Sequence, residues 1–229
     1  FSTVSGGYQN TASGDWSLVA GGQANNNVCR HGVIGGGLGN YNCGIYATIA
    51  GGDYNCSCNH RVFIGGGEFN CGTGDSATIA GGYSNKTSGA CSFVGGGCAN
   101  CATSGFSTVV GGASSCATGG GHNFIGGGFL NTANGFMASI VGGRGNTSSA
   151  NYSSVGGGLN NTASGAYSTI SGGYKNQATA TKTVIGGGHC NIASVFYSSI
   201  LGGRFNTASN CYSTVGGGTS NTSSGGYST

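Results

Sequence analysis

Apolar and polar positions recur along this chain every 15 residues. One column is always β-branched: Val4, Val19, Ile34, Ile49, Ile64, Ile79, Val94, Val109, Ile125, Ile140, Val155, Ile170, Ile185, Ile200 and Val215. If this residue is position 4 of each unit, Gly-Gly falls at positions 6 and 7, from Gly6-Gly7 to Gly217-Gly218. Position 2 is small in nearly every unit (Ser2, Ser17, Gly32, Ala47), and position 12 is mostly Ala or Ser. Position 10 is Asn in fourteen of fifteen units: Asn10, Asn25, Asn40, Asn55, Asn70, Asn85, Asn100, Asn131, Asn146, Asn161, Asn176, Asn191, Asn206 and Asn221, with Ser115 the exception. The step between Gly-Gly pairs departs from 15 once, through one extra residue in Gly119-Gly120-Gly121.

Positions 1–5 alternate with period 2 around the β-branched residue, which predicts a strand. Gly-Gly permits a positive-φ turn, and positions 10–14 predict a second strand ending at glycines such as Gly14, Gly89, Gly165 and Gly225. Two short strands and two turns make one coil of a solenoid. The expected fold is therefore all-β: a parallel β-solenoid (β-roll) with one 15-residue repeat per coil, about 15 coils, in a single repeat domain spanning 1–229. Each strand should pair with its copy in the next coil, about 4.8 Å away, so the whole would be a rod of roughly 70 Å. Identical side chains then stack, and the position-10 amides should form an interior ladder. The core between two strands is thin, so Val or Ile can face only Ala or Ser.

Composition agrees. The chain has 53 Gly and no Pro, unlike collagen or disordered linkers, and each coil needs its backbone N–H groups. Only 5% of residues are charged and the net charge is +3, too sparse for a nucleic-acid footprint. All charges lie in columns 1, 8, 9, 11 or 15, on turns and coil edges. No apolar run approaches the roughly 18 residues of a membrane helix, so no membrane insertion is expected in this segment. The chain opens at Phe1 without a signal peptide, which suggests processing or a fragment.

A 30-residue alternation overlies the repeat. From the second unit onward, position 5 is Gly in odd units (Gly35, Gly65, Gly95, Gly126, Gly156, Gly186, Gly216) and larger in even ones (Ala20, Ala50, Ala80, Val110, Val141, Ser171, Leu201). Position 3 tends to answer in the opposite sense, with Val33, Phe63, Phe93, Phe124 and Val184 beside the glycines. Such alternation suits packing against another surface, or local compensation on one exposed face. Position 1 carries a stripe of rings: Phe1, Trp16, Tyr46, Phe106, Tyr152, Tyr167, Tyr197, Tyr212 and Tyr227. It could bind a glycan or a host surface by stacking, or pack between chains of a homo-oligomer.

The 11 cysteines act as a ruler. Cys43 and Cys58 share column 13; Cys56 and Cys71 share column 11, as do Cys101 and Cys116. With one coil per unit, each pair sits about 5 Å apart, within disulfide reach, which would imply an oxidising, extracellular setting. The bland alternative is that cysteine here is a small apolar strand residue. Cys56, Cys58 and His60 fall at i, i+2 and i+4, but a metal wants four convergent ligands and no second cysteine pair offers itself. Four acidic residues supply no credible acid/base pair, and the Gly-rich runs precede no helix, so neither enzyme activity nor a cofactor is expected. Asn55, Asn85, Asn146, Asn151, Asn160 and Asn221 match the glycosylation sequon; of these, only Asn151 and Asn160 fall at turn or edge columns.

Segments such as Asn161-Thr162-Ala163-Ser164-Gly165-Ala166-Tyr167-Ser168-Thr169-Ile170 resemble the head repeats of trimeric autotransporter adhesins. The likeness runs through the whole chain, although the double Gly and the cysteines depart from that family's pattern. The resemblance implies a left-handed parallel β-roll, trimerisation and display on a bacterial surface. The resulting expectation is a non-enzymatic structural or adhesive fibre at the cell or virion surface, associating with itself as a trimer or an end-to-end filament. A viral or phage tail-fibre segment is the alternative. An ice-binding solenoid is a third; it would use Thr3, Thr48, Thr78, Thr108 and Thr169, interrupted by Leu18, Phe63, Phe93 and Phe124.

Overall fold

The computed structural model describes residues 1–228, and every regular element among them is a strand. The chain is a parallel β-solenoid of about 15 coils, with one repeat of close to 15 residues per coil. It divides into two compact units, Phe1–Ser114 and Ser115–Thr229.

In the first unit, strands at position 3–4 pair in parallel from Thr3–Val4 to Thr108–Val109, and those at 11–12 from Thr11–Ala12 to Cys101–Ala102. The second unit repeats this from Phe124–Ile125 to Thr214–Val215 and from Cys116–Ala117 to Thr222–Ser223. Register is one coil throughout, as in Ile49↔Ile64 and Ala163↔Ala178. A third ladder runs at position 8, from Tyr8↔Gln23 to Cys98↔Ala113 in the first unit and from Phe129↔Arg144 to Arg204↔Thr219 in the second.

The strands are shorter than the pattern suggests. Positions 1–5 and 10–14 read as strands, but only positions 3–4 and 11–12 are. The reason lies at positions 1 and 9, where the backbone is left-handed: φ is 54° at Trp16, 57° at Tyr167, 56° at Phe69 and 55° at Phe205. These residues end the extended run and turn their N–H groups back toward the preceding coil. Tyr54 N–H donates to Leu38 O at 2.8 Å, and Tyr167 N–H to Asn151 O at 2.9 Å. Most other inter-coil bonds run forward, as in Phe63 N–H to Ala77 O at 3.0 Å.

Glycine is required at position 7 for two reasons at once. Its φ is +83° to +95°, and a Cβ there would lie 2.0–2.3 Å from the carbonyl oxygen of the next coil's position-7 glycine wherever a coil follows within the unit. At position 5 the alternation also has a cause within the stack. A Cβ on Gly35, Gly65, Gly95, Gly126, Gly156 or Gly186 would sit 2.3–2.4 Å from the position-5 carbonyl oxygen of the coil above. The intervening coils do carry a side chain there. The neighbouring rings close over the gap: Cε1 of Phe63 comes within 3.5 Å of the place a Gly65 Cβ would take. The 30-residue period thus has a cause within the stack, in backbone approach and local compensation, and the larger residues of the pattern remain exposed on the outer face.

The core is a single file. Position-4 residues such as Ile34, Ile64, Ile140 and Ile185 are fully buried, opposite position-12 residues such as Ala102 and Ala163. Each buried Ile is worth about 2 kcal/mol of removed apolar surface. Volume is traded across this thin layer: a Cβ on Gly72 would meet Val62 Cγ1 at 2.5 Å, and one on Gly32 would meet Asn27 Oδ1 at 2.3 Å. The extra residue near Gly119–Gly121 is absorbed in the turn. Cys116 pairs with Thr132, 16 residues on, and by Phe124↔Ser139 the spacing has returned to 15.

Candidate functional site

Three features recur from coil to coil: the position-10 amides, the rings at the turns, and the cysteines on the outer face of the 11–12 sheet. The amides are used completely. Asn161 Nδ2 donates to Gly157 O and Gly173 O, both at 2.9 Å, and its Oδ1 accepts the Asn176 N–H at 3.0 Å. The same pattern holds at Asn40, Asn70 and Asn206, all buried. Asn10 is half-buried and Asn221 exposed, in the first and last coils. Where Ser115 replaces Asn, its Oγ takes the Asn131 N–H at 3.3 Å. At the sequon residues Asn55, Asn85 and Asn146, Nδ2 is occupied by two carbonyls, so no glycan could be attached without breaking the coil. Asn151 and Asn160 are exposed.

From Trp16 onward, the position-1 rings stand on left-handed residues at the turn, not on a strand. Tyr152 and Tyr167 stack at 4.9 Å, Tyr197 and Tyr212 at 5.0 Å, and Tyr212 and Tyr227 at 4.8 Å between centroids. Trp16, His31 and Tyr46 form a similar run at 5.2 and 4.7 Å. Phe1 and Phe106 are exposed on the same column. Within the stacked runs, ring faces are spent on one another. A sugar stacking flat on these rings would have to displace a neighbour.

His31 and Lys182 complete this ridge but carry no aromatic-stripe signature. Lys182 Nζ lies 2.6 Å from Tyr197 OH and 4.7 Å from its ring centre. That hydrogen bond holds the Lys182 ammonium pKa above the ordinary lysine value. A second, broken ridge lies at positions 8 and 9, with Tyr54 stacked on Phe69 at 5.4 Å and Tyr174 on His189 at 5.0 Å. The signal for both was spacing by one coil, regardless of residue type.

Cysteines gather on the first unit's 11–12 sheet. Cys56 and Cys71 are register partners, with Tyr41 beyond Cys56 and Lys86 beyond Cys71. Cys56 and Cys58 bring their sulfurs to 3.2 Å, and Cys43 lies one coil from Cys58 in the same column. Cys43, Cys56, Cys58 and Cys71 are thiols here. The Cys56 thiol donates to Cys71, which raises Cys56 and lowers Cys71 to about 6, with help from the Lys86 charge. Burial first, then the bond to Cys58, pushes Cys43 up to about 12. Cys101 lies in the first unit at Cys101–Ala102, and Cys116 in the second at Cys116–Ala117. His60 does not join Cys56 and Cys58: among the described residues, no three His, Cys, Asp or Glu side chains converge to hold a metal.

No helix among the described residues is long and apolar enough to cross a membrane. Residues 2–14, close to one coil, match the family model of the ubiquitous surface protein adhesin repeat. No curated protein matches significantly. The one-coil match and the parallel solenoid together fit a repeat-type adhesin.

Proposed function

We propose that this chain is a non-enzymatic structural and adhesive segment of a surface fibre, acting outside the cell and associating with copies of itself. The observation that carries this reading is the outer face of the 3–4 sheet. In the first unit Phe63, Phe93 and Val110 are 42, 36 and 49% exposed; in the second, Val141, Val184 and Leu201 are 61, 43 and 65% exposed. Apolar strand faces left in water are characteristic of association surfaces. The coil interior is consumed by its own amides and carbonyls, so recognition falls to outer faces and turns. The adhesin-repeat match supports display at a cell surface, and the resemblance of segments such as Asn161 to Ile170 to the head repeats of trimeric adhesins supports a trimer. We read the repeats as one domain and the columns Cys43/Cys58 and Cys56/Cys71 as cross-coil staples formed in an oxidising setting.

The test is the oligomeric state of the protein by sedimentation, beside that of Val141→Lys combined with Leu201→Lys. The expectation is a trimer that the charges convert to folded monomer. A wild-type protein that remains monomeric at high concentration would overturn self-association. Labelling intact source cells or particles with antibody tests surface display, and label only after lysis would refute it.

A further inference from the structure

The thiols of the first unit form a continuous path rather than separate pairs. Lys86 neighbours Cys71, Cys71 is the register partner of Cys56, Cys56 touches Cys58 at 3.2 Å, and Cys43 lies one coil from Cys58 in the same column. Lys86, Cys71 and Cys56 stand on strands of one sheet, and Cys58 and Cys43 lie just past its strands; Lys86 and Cys58 are exposed, and Cys71, Cys56 and Cys43 are half-buried. The path is polar in a chemical sense. At one end, a lysine and a donated S–H favour a thiolate on Cys71; at the other, burial and neighbouring sulfurs hold Cys43 protonated, and the Cys29 thiol is turned to the Cys43 carbonyl at 2.6 Å. Tyr41, beside Cys56, adds no cation.

We propose that Cys71, Cys56, Cys58 and Cys43 form a thiol–disulfide relay, entered at Cys71 by a small-molecule disulfide and ending in the Cys43–Cys58 bond. This deepens the reading of these columns as staples by giving the order in which they close. In the first step Cys71 sulfur attacks one sulfur of R–S–S–R, forming Cys71–S–S–R and expelling one thiolate. Cys56 then loses its proton to solvent and attacks the Cys71 sulfur, expelling the second thiolate. One external disulfide has been reduced to two thiols, and Cys56–Cys71 has been oxidised. Cys58, already in contact with Cys56, attacks the Cys56 sulfur as thiolate; Cys71 leaves, and the proton lost from Cys58 passes through solvent to it. Cys43 then gives up its proton and attacks the Cys58 sulfur; Cys56 leaves as thiolate and takes up that proton, so no net proton is gained or lost. No electrons enter or leave in these two exchanges. Cys71 and Cys56 are then reduced again and accept a second external disulfide, leaving two cross-coil bonds.

A low thiol pKa speeds attack only partly, because nucleophilicity falls with basicity. At pH 6 the larger thiolate fraction outweighs that loss by about tenfold relative to an ordinary thiol. The experiment uses the full chain, reduced and then mixed anaerobically with oxidised glutathione at pH 6. Samples are quenched with iodoacetamide and mapped by peptide mass. In the wild type, the glutathione adduct should appear first on Cys71, then the Cys56–Cys71 bond, then Cys43–Cys58. Cys71→Ser should slow Cys43–Cys58 formation about tenfold although neither of those residues is altered. Lys86→Gln, which leaves every thiol in place, should slow entry several-fold. Circular dichroism checks that both variants keep the wild-type fold.

Cys43–Cys58 closing at the wild-type rate in Cys71→Ser would overturn the relay while leaving the staples standing. Failure of either bond to form under any concentration of oxidant would overturn both.

Discussion

Gly51 and Gly52 are neighbours of identical chemistry, yet their substitutions should differ widely. A Cβ on Gly51 meets nothing within 4 Å, whereas one on Gly52 would lie 2.1 Å from Gly67 O and 2.7 Å from Asn55 Nδ2, at φ +84°. Gly51→Ala is expected to change stability by less than about 0.5 kcal/mol, and Gly52→Ala to cost about 3 kcal/mol or more, measured by denaturant unfolding. The amide column is equally unforgiving. Asn161→Ala strands two carbonyls and the Asn176 N–H, a loss of about 3–6 kcal/mol. Asn161→Asp keeps the acceptor and loses donors. Its buried carboxyl faces two carbonyl oxygens, which raises its folded pKa above the unfolded value of about 3.9. Whatever stability its protonated form retains is present below that unfolded value and is lost as pH rises through the folded pKa. The variant should therefore unfold more readily at pH 8 than at pH 4.

At the scale of the element, a two-residue strand has no stability of its own and exists only because the coils above and below supply its partners. The turns are held by stacked side chains as well as by backbone. A non-glycine residue at φ near +57° costs about 1 kcal/mol, and the ring of Tyr167 offsets this by stacking on Tyr152 at 4.9 Å. Tyr167→Ala loses the stacking and keeps the strain; Tyr167→Gly loses the stacking but relieves the strain. In thermal melts both should fall below the wild type, with the alanine variant about 1 kcal/mol less stable than the glycine variant. This turn was legible in the sequence only as a column of rings. Nothing in Tyr, Trp, Arg or Lys announces a left-handed residue, because the preference comes from the ladder above and below.

At the scale of the whole molecule, charge contributes little. Only 11 residues carry a formal charge, and the ion pair Arg61–Asp75, 2.8 Å long, joins side chains 63 and 40% exposed. Exposed pairs of this kind are worth about 0–1 kcal/mol and are screened by salt. The denaturation midpoint should therefore hardly move between low and moderate sodium chloride. A large shift would mean that electrostatics hold the fold more than its bonds indicate. Each unit is instead a stack of nearest-neighbour interfaces, in which a defect is felt by the adjoining coils.

The sequence by itself determined the coil. A residue that must be β-branched, a glycine that must be achiral at its α-carbon and an amide that must both donate and accept can recur every 15 residues only if each meets its own copy. Strand pairing, parallel direction, register and the single-file core follow from that identity. What only the tertiary structure decided depends on atoms of adjacent coils. The length of each strand is set by left-handed residues that no propensity marks. The Gly alternation at position 5 is set by a carbonyl 2.3–2.4 Å from a missing Cβ. The contact of Cys56 with Cys58 comes from a strand residue and the residue just past the strand's end leaning their side chains together. A column in the sequence tells which residues are stacked, but how a stacked side chain spends its faces and hydrogens is settled only when the coil above it is in place.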